Sequence, residues 1–389
     1  MSEWFLNQTS LYTPGPTPVP RRVNTAMAAP MIGHRSPDFS ALLEEVATRL
    51  EPVFGTAHPV LVLTSSGTSA LEAAVVNTVA PGEEAVVIVA GSFGDRLATI
   101  AEEYGVNVHR LNIEWGKACT PAQLAQFLDP LTEKPVKAVF ATFNETSTGV
   151  LNPIHALGEV VARKTDALFI VDGVSCIGAV DVDMTRDRID LLVTSSQKAL
   201  MLPPGLAFVA LSDKGLEAVQ KCPTKRFYLD LGRYMKAYRE QRSTPFTPAV
   251  SLIAGAREVC NMIDEEGWPH VVRRHRLLRD MTRSGIRALG LPLLTSDEDA
   301  SPTVTAVRPQ AAAPGDIQKV LKRDFSITIA GGQKQLKGKI FRIGHMGWCT
   351  PFDILKLLGA LELTLARLGQ APHFGAAVKK AEEVLNREL

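Results

Sequence analysis

The chemistry of this chain is suggested first by one lysine and one aspartate. Lys198 sits in Val193-Thr194-Ser195-Ser196-Gln197-Lys198-Ala199-Leu200, after the apolar run Ile189-Asp190-Leu191-Leu192-Val193 and before the Pro203-Pro204-Gly205 break. Asp172 closes an earlier apolar run, Leu168-Phe169-Ile170-Val171. A lysine and an acid at the tips of two strands suit pyridoxal phosphate (PLP). That cofactor needs an amine for its Schiff base and a carboxylate beside its pyridine nitrogen. The ordinary alternatives are a solvated lysine and an aspartate that serves a turn or caps a helix.

Other segments bear on the choice. Thr64-Ser65-Ser66-Gly67-Thr68-Ser69-Ala70-Leu71-Glu72 joins a strand to a helix. Gly67 permits close backbone approach there, and the free amides of the helix start attract an anion; plain N-capping is the competing reading. It is not a Walker loop, since no G-K-[ST] follows. In Ala90-Gly91-Ser92-Phe93-Gly94-Asp95-Arg96 the aromatic between glycines is either core or a platform for a flat ring. In Asn144-Glu145-Thr146-Ser147-Thr148-Gly149, Thr146 can hydrogen-bond a cofactor's phenolic oxygen. Arg342 lies inside the apolar run Ile340-Phe341-Arg342-Ile343. Arginine is seldom buried unpaired, so either a substrate carboxylate or a structural ion pair is expected for it.

The elements that must position these residues follow from periodicity. Apolar runs at 60–63, 85–89, 136–141, 168–171, 189–193 and 206–210 predict strands, and helical spacing predicts helices from 38, over 69–79, 93–104 and 154–164. Such alternation predicts an α/β domain with a mostly parallel sheet between helices. Beyond about Gly255 the pattern changes to a long helix at 270–289, strands at 303–307, 326–329 and 340–343, and helices at 353–368 and 375–386, which predicts a smaller α+β domain. The expected organisation is an N-terminal strap at 1–20, a large domain at 21–255 and a small domain at 256–389. The strap rests on Thr13-Pro14-Gly15-Pro16-Thr17-Pro18-Val19-Pro20, too poor in amide donors for a helix or central strand.

Composition narrows the partners. With 42 basic and 41 acidic residues the net charge is +1, so nucleic acid and anionic membranes are not expected partners. No apolar stretch reaches the roughly 20 residues of a membrane helix, and the N-terminus has no signal-like apolar core. Five scattered cysteines suit free thiols in a reducing cytoplasm and give no metal-ligand spacing; no metal site is expected.

Taken in order, the motifs resemble the class V aminotransferases, specifically the alanine–glyoxylate and serine–glyoxylate (serine–pyruvate) group. The resemblance runs from Thr13-Pro14-Gly15-Pro16 through Ser66-Gly67-Thr68-Ser69-Ala70-Leu71-Glu72, Glu145-Thr146-Ser147-Thr148-Gly149, Val171-Asp172-Gly173-Val174 and Ser196-Gln197-Lys198. Phe227-Tyr228-Leu229-Asp230-Leu231, Thr247-Pro248 and Arg342-Ile343-Gly344 complete it. It implies PLP fold type I and a homodimer whose active sites are shared between subunits. It implies Lys198 as the Schiff-base residue, Asp172 on the pyridine nitrogen, Phe93 and Val174 on the two ring faces, and Thr146 on the phenolic oxygen. Ser66, Gly67, Thr68 and Gln197 would hold the phosphate with Thr247 of the second subunit. Arg342 would grip the substrate carboxylate, and Gly15 would line the pocket. The animal enzymes of the group carry tryptophan at Phe93, histidine at Thr68 and tyrosine at Thr244, which leaves a phosphate role for Thr244 in doubt.

The activity so implied is transfer of an amino group from alanine or serine to glyoxylate or pyruvate. A dicarboxylic donor such as aspartate, or phosphoserine, would need a second cation, with Arg35 and Arg242 as candidates. A lyase or cysteine desulfurase would need a mobile cysteine, with Cys349 as the candidate. A non-enzymatic hydrogenase-associated subunit would leave the PLP constellation without purpose.

Overall fold

The computed structural model describes residues 9–131 and 135–388. Its strands in chain order are β1 (Ser10–Tyr12), β2 (Leu61–Thr64), β3 (Glu84–Val89), β4 (Asn107–Asn112), β5 (Val136–Thr142), β6 (Asn144–Glu145) and β7 (Val150–Leu151). There follow β8 (Leu168–Asp172), β9 (Leu191–Ser195), β10 (Leu206–Leu211), β11 (Val304–Val307), β12 (Ile327–Gly331) and β13 (Phe341–Gly344).

Seven strands form the large sheet in the order β2-β10-β9-β8-β5-β3-β4. From β9 through β4 every neighbour is parallel, while β10 runs antiparallel to both β9 and β2. The inner strands β8, β9 and β10 are buried throughout, as a sheet covered on both faces requires. Parallel register brings the carboxyl ends of β3, β5, β8 and β9 to one edge: Asp172 pairs with Thr142 on one side and Val193 on the other. Open α/β sheets leave their ligand crevice outside those ends.

A second sheet, β1-β12-β13-β11, carries Arg342 on β13. Its own apolar cluster includes Leu278, Ile317, Phe341, Ile343, Leu357 and Leu361, apart from the core beneath the large sheet. The N-terminal arm belongs to both regions. Ser10–Tyr12 pairs in parallel with β12, and Tyr12 packs into the second cluster. Residues 13–20 then cross to the large domain, where Thr17 donates to the Lys198 carbonyl at 3.0 Å. Residues 1–8 of the expected strap lie outside the described residues.

The strand expected at 189–193 is instead Leu191–Ser195. Arg188 has φ +58°, and the Asp190 carboxylate accepts from Phe169 N and Ser212 Oγ, so the chain is still turning there. β4 was not evident in the sequence because it is an edge strand, mostly half-exposed, built of Asn-Val-His-Arg-Leu-Asn. The helix Pro314–Phe325 was missed as well, although its apolar positions are buried at helical spacing.

Gly344, at the end of β13, shows how closely arm and small sheet fit. A Cβ there would stand 2.3 Å from the Thr13 carbonyl oxygen, which is backbone and cannot swing aside. Gly344→Ala is therefore expected to destabilise the fold by about 1–3 kcal/mol, the usual range for overpacking. A thermal melt checks it; an unchanged midpoint would show that the arm is not seated there.

Candidate active site

Lys198 lies in the loop after β9, and its neighbours fix it from several sides. Ser196 Oγ donates to the Pro203 carbonyl at 2.7 Å and accepts from Leu206 N at 3.1 Å. The arm closes the other side: Thr17 N donates to the Gln197 carbonyl at 3.3 Å, and Lys198 Nζ donates to the Pro14 carbonyl at 2.5 Å. Gly15 has φ +110°, and any Cβ on it would lie 2.5 Å from Nζ, so the arm can pass over the amine only as glycine. Burial lowers the Lys198 pKa to about 8, Arg342 and Arg96 add to that shift, and Asp172 opposes it.

Asp172 ends β8, buried, with its Oδ1 accepting from Val174 N at 2.9 Å. Burial raises its pKa to about 6; the Val174 bond, Lys198 and Arg96 pull it down, and Glu145 pushes it up. Lys198 and Asp172 thus feel each other's charge in one low-dielectric pocket.

Phe93 sits in the first turn of the helix Ser92–Glu103, whose N-cap, Gly91, provides no side chain. The cap comes from elsewhere. The fully buried Glu145 carboxylate accepts from Phe93 N at 3.1 Å and Gly94 N at 3.0 Å, and also from Ser147 N and Oγ. A Cβ on Gly91 would meet Glu145 Cδ at 2.4 Å. Burial raises the pKa of Glu145 despite these hydrogen bonds. Nothing in the sequence around Glu145 gives it this task; only the fold brings it to that helix. Arg96, also unassigned from the sequence, stacks on the Phe93 ring at 5.1 Å and is exposed.

Ser66 caps the helix Gly67–Thr78, its Oγ accepting from Ser69 N at 3.3 Å. Ser66 and Thr68 are exposed, whereas Gly67 is buried, and a Cβ on it would lie 3.1 Å from both Ser195 Cβ and Val174 Cγ2. Gln197 is half-buried on the adjoining loop. Thr146 is buried, its Oγ1 donating to Ser175 Oγ at 2.7 Å, and Ser175 Oγ donates in turn to the Asn144 carbonyl. Thr247 is exposed on a segment held against β2 by the Ala249 N to Thr64 Oγ1 bond. Thr244 is buried and spends its hydroxyl on the Phe246 carbonyl.

Arg342 is 5% exposed. Its Nε donates to the Gly331 carbonyl at 2.9 Å and its Nη1 to the Thr146 carbonyl at 3.0 Å. Among the described residues it has no carboxylate within ion-pair distance, and burial lowers its pKa to about 10. The structural ion pair is therefore not what holds it. Arg242 is engaged with Glu44, and Arg35 with Ser243 Oγ and the Thr244 carbonyl. The second cation whose charge reaches Lys198 and Asp172 is Arg96. Cys349 is buried, with its thiol pushed up to about 12, a poor nucleophile.

The model of the class V aminotransferase family matches residues 11–346. This chain belongs to that family. It is 41% identical over 381 residues to a soluble hydrogenase small subunit of Synechococcus sp., covering 98% of this chain and 99% of the relative. The glyoxylate aminotransferases are more distant. An L-aspartate–glyoxylate aminotransferase of Paracoccus denitrificans is 34% identical, covering 97% and 96% of the two chains. A serine–glyoxylate aminotransferase of Arabidopsis thaliana is 32% identical with the same coverage. Among solved structures, a ureidoglycine–glyoxylate aminotransferase from Bacillus subtilis superposes with a TM-score of 0.90 at 30% identity, covering 99% of this chain and 100% of that one. The fold is that of the type I aminotransferases.

The family is PLP-dependent, and the residues present fit that cofactor. Phe93 and Val174 are only half-buried, leaving apolar surface that a flat ring can cover. Ser195 Oγ, Thr142 Oγ1 and Ser92 Oγ are buried without a protein partner among the described residues. A reactive amine and a buried carboxylate share the same pocket.

Because the lysine's pKa is lowered, its neutral, nucleophilic form prevails above about pH 8. In the cofactor-free chain, the rate of borohydride-trappable addition of PLP at Lys198 is expected to rise with pH and level off above that value. Mass spectrometry of the trapped lysine across a pH series checks this. A rise continuing beyond pH ~10, as for an ordinary solvated lysine, would contradict it.

Proposed function

We propose that this chain is a PLP-dependent aminotransferase that moves the amino group of a small amino acid, serine or alanine, to glyoxylate or pyruvate. The observation that carries this reading is Arg342, a buried guanidinium with no carboxylate within ion-pair distance among the described residues, beside a lysine whose amine turns neutral above about pH 8. A buried cation costs several kcal/mol unless compensated, and the α-carboxylate of an amino acid is the simplest complement.

When bound, PLP supplies an electron sink that makes the donor's Cα–H acidic. The rest falls to the side chains. Arg342 holds the donor's carboxylate, fixing which bond at Cα faces Lys198. The Lys198 amine would serve as the base that takes the donor's Cα proton and as the acid that gives one back, and its depressed pKa suits it to both directions of transfer. Asp172 holds a proton at the pyridine nitrogen, a carboxylate beside a cationic ring favouring the charged pair. Glu145 keeps Phe93 in place through the helix start, and Phe93 and Val174 would flank the ring of the bound cofactor. Ser66, Gly67, Thr68 and Gln197 hold the phosphate at the helix N-terminus, joined by Thr247 of a second copy in a homodimer. Thr146 meets the phenolic oxygen, with Ser175 behind it. Gly15 lets the arm close over the amine and exclude water. On this reading residues 1–20 act with a large domain at 21–255 and a small one at 256–389.

A cytoplasmic location accords with five free cysteines, and among the described residues no helix is long and apolar enough to cross a membrane. One specific observation favours a second donor class: Arg96 over Phe93 could receive the distal carboxylate of aspartate, the donor in the Paracoccus relative's name. A desulfurase is disfavoured by the buried thiol of Cys349. A non-enzymatic subunit would leave Lys198, Asp172 and Arg342 unexplained.

The deciding experiment is a transamination panel on purified protein, with alanine, serine and aspartate as donors and glyoxylate and pyruvate as acceptors. Turnover of serine or alanine is expected; activity with aspartate alone would shift the assignment to Arg96, and none with any pair would overturn it. Lys198→Ala should abolish turnover together with the visible absorbance of bound cofactor, and normal turnover by that variant contradicts its role. Arg342→Ala should lower kcat/KM for every carboxylate substrate by about 2–5 kcal/mol, mainly through KM. An unchanged KM would make Arg342 structural.

A further inference from the structure

Thr17 sits where three segments of the chain meet. It is 4% exposed, its Oγ1 donates to the Lys198 carbonyl at 3.0 Å, and its amide donates to the Gln197 carbonyl at 3.3 Å. The loop after β13 passes the same point: a Cβ on Gly347 would lie 3.0 Å from the Lys198 carbonyl oxygen and 3.4 Å from Thr17 Oγ1. Further back along the arm, the carbonyl of the buried Pro14 accepts from Lys198 Nζ at 2.5 Å. The arm therefore takes hold of one residue twice. Thr17 holds its main chain, and Pro14 meets its amine.

The lysine loop does not need Thr17 for its own shape. Met201 N donates to the same Lys198 carbonyl at 3.1 Å, Leu202 N donates to the Ser196 carbonyl at 3.1 Å, and Ser196 Oγ is bonded to the Pro203 carbonyl. Removing the threonine hydroxyl leaves the carbonyl satisfied and the loop folded; what it frees is the arm. We propose that Thr17 is a positioning residue, whose hydroxyl latches the arm to the lysine loop and so holds the Pro14 carbonyl against the Lys198 amine and keeps bulk water away from it. This rests on the transaminase reading for the task of that amine. With the latch open, water replaces the carbonyl as partner, and the amine regains the solvation that burial denies it. The charged groups that reach the amine, Arg342, Asp172 and Arg96, lie on other elements and stay in place.

The test uses the full-length chain and three substitutions. Thr17→Val keeps the shape and removes the donor, Thr17→Ala removes it in a smaller side chain, and Thr17→Ser keeps the hydroxyl. In the cofactor-free chain, acetic anhydride labelling of Lys198, quantified by mass spectrometry across a pH series, gives the midpoint at which the amine turns neutral. That midpoint should lie near 8 in the wild type. In the valine and alanine variants it should move up by about one pH unit, towards the ~10 of a solvated lysine. In the holoenzyme, hydroxylamine should strip the cofactor about 2- to 10-fold faster from the same two variants, the equivalent of one net hydrogen bond, as read by loss of visible absorbance. Thr17→Ser should match the wild type in both measurements. A purely structural threonine would lower the melting temperature and leave the midpoint where it was, so an unmoved midpoint with an unchanged stripping rate overturns the latch. Wild-type protein inactive with every donor, whose labelling midpoint still moves in Thr17→Val, would support the latch while overturning the transaminase reading.

Discussion

Three ionisable groups, Asp172, Lys198 and Arg342, are withdrawn from water without a close ion pair among them, and much of the architecture exists to tolerate this. Each is steadied by neutral dipoles: Val174 N on the carboxylate, the Pro14 carbonyl on the amine, the Gly331 and Thr146 carbonyls on the guanidinium. Dipoles hold a charge in position without neutralising it. The pKa values of all three groups are accordingly displaced towards their uncharged forms. Closer mutual pairing would give a more comfortable apoprotein with nothing left to offer a charged ligand. Perturbed ionisation of this kind, concentrated in one crevice, is a common mark of a working site.

Glu145 extends the same economy. Its carboxylate substitutes for the cap that Gly91 cannot provide, and in doing so fixes a helix start beside Asp172. Its charge raises the pKa of Asp172 and supports that of Arg342. One buried acid therefore links the helix start at Phe93, Asp172 and Arg342.

Most of the large domain was legible from the sequence because its strands are buried on both faces and read as uninterrupted apolar runs, as in β8 and β10. Asp172 was legible for the same reason, because the run of β8 ends on it, whereas the run before Lys198 ended two residues short of the end of β9. What stayed hidden depends on contacts far apart in the chain. Nothing near Glu145 indicates that it will meet the amides of Phe93 and Gly94, and nothing near Arg96 indicates that it will lie over an aromatic ring. Arg342 was visible as an anomaly, an arginine among apolar neighbours, but whether it faced a carboxylate or carbonyls required the fold. β4 was lost because an edge strand that is half wet has no apolar signature.

The N-terminal arm is a strand of one sheet at Ser10–Tyr12 and a bonded neighbour of the other domain's reactive loop at Thr17. A tether of so few residues behaves as a connecting rod. Any rocking of the C-terminal lobe must tug on Gly15 and on the carbonyl that faces the amine, so lobe position and access to Lys198 are geared together.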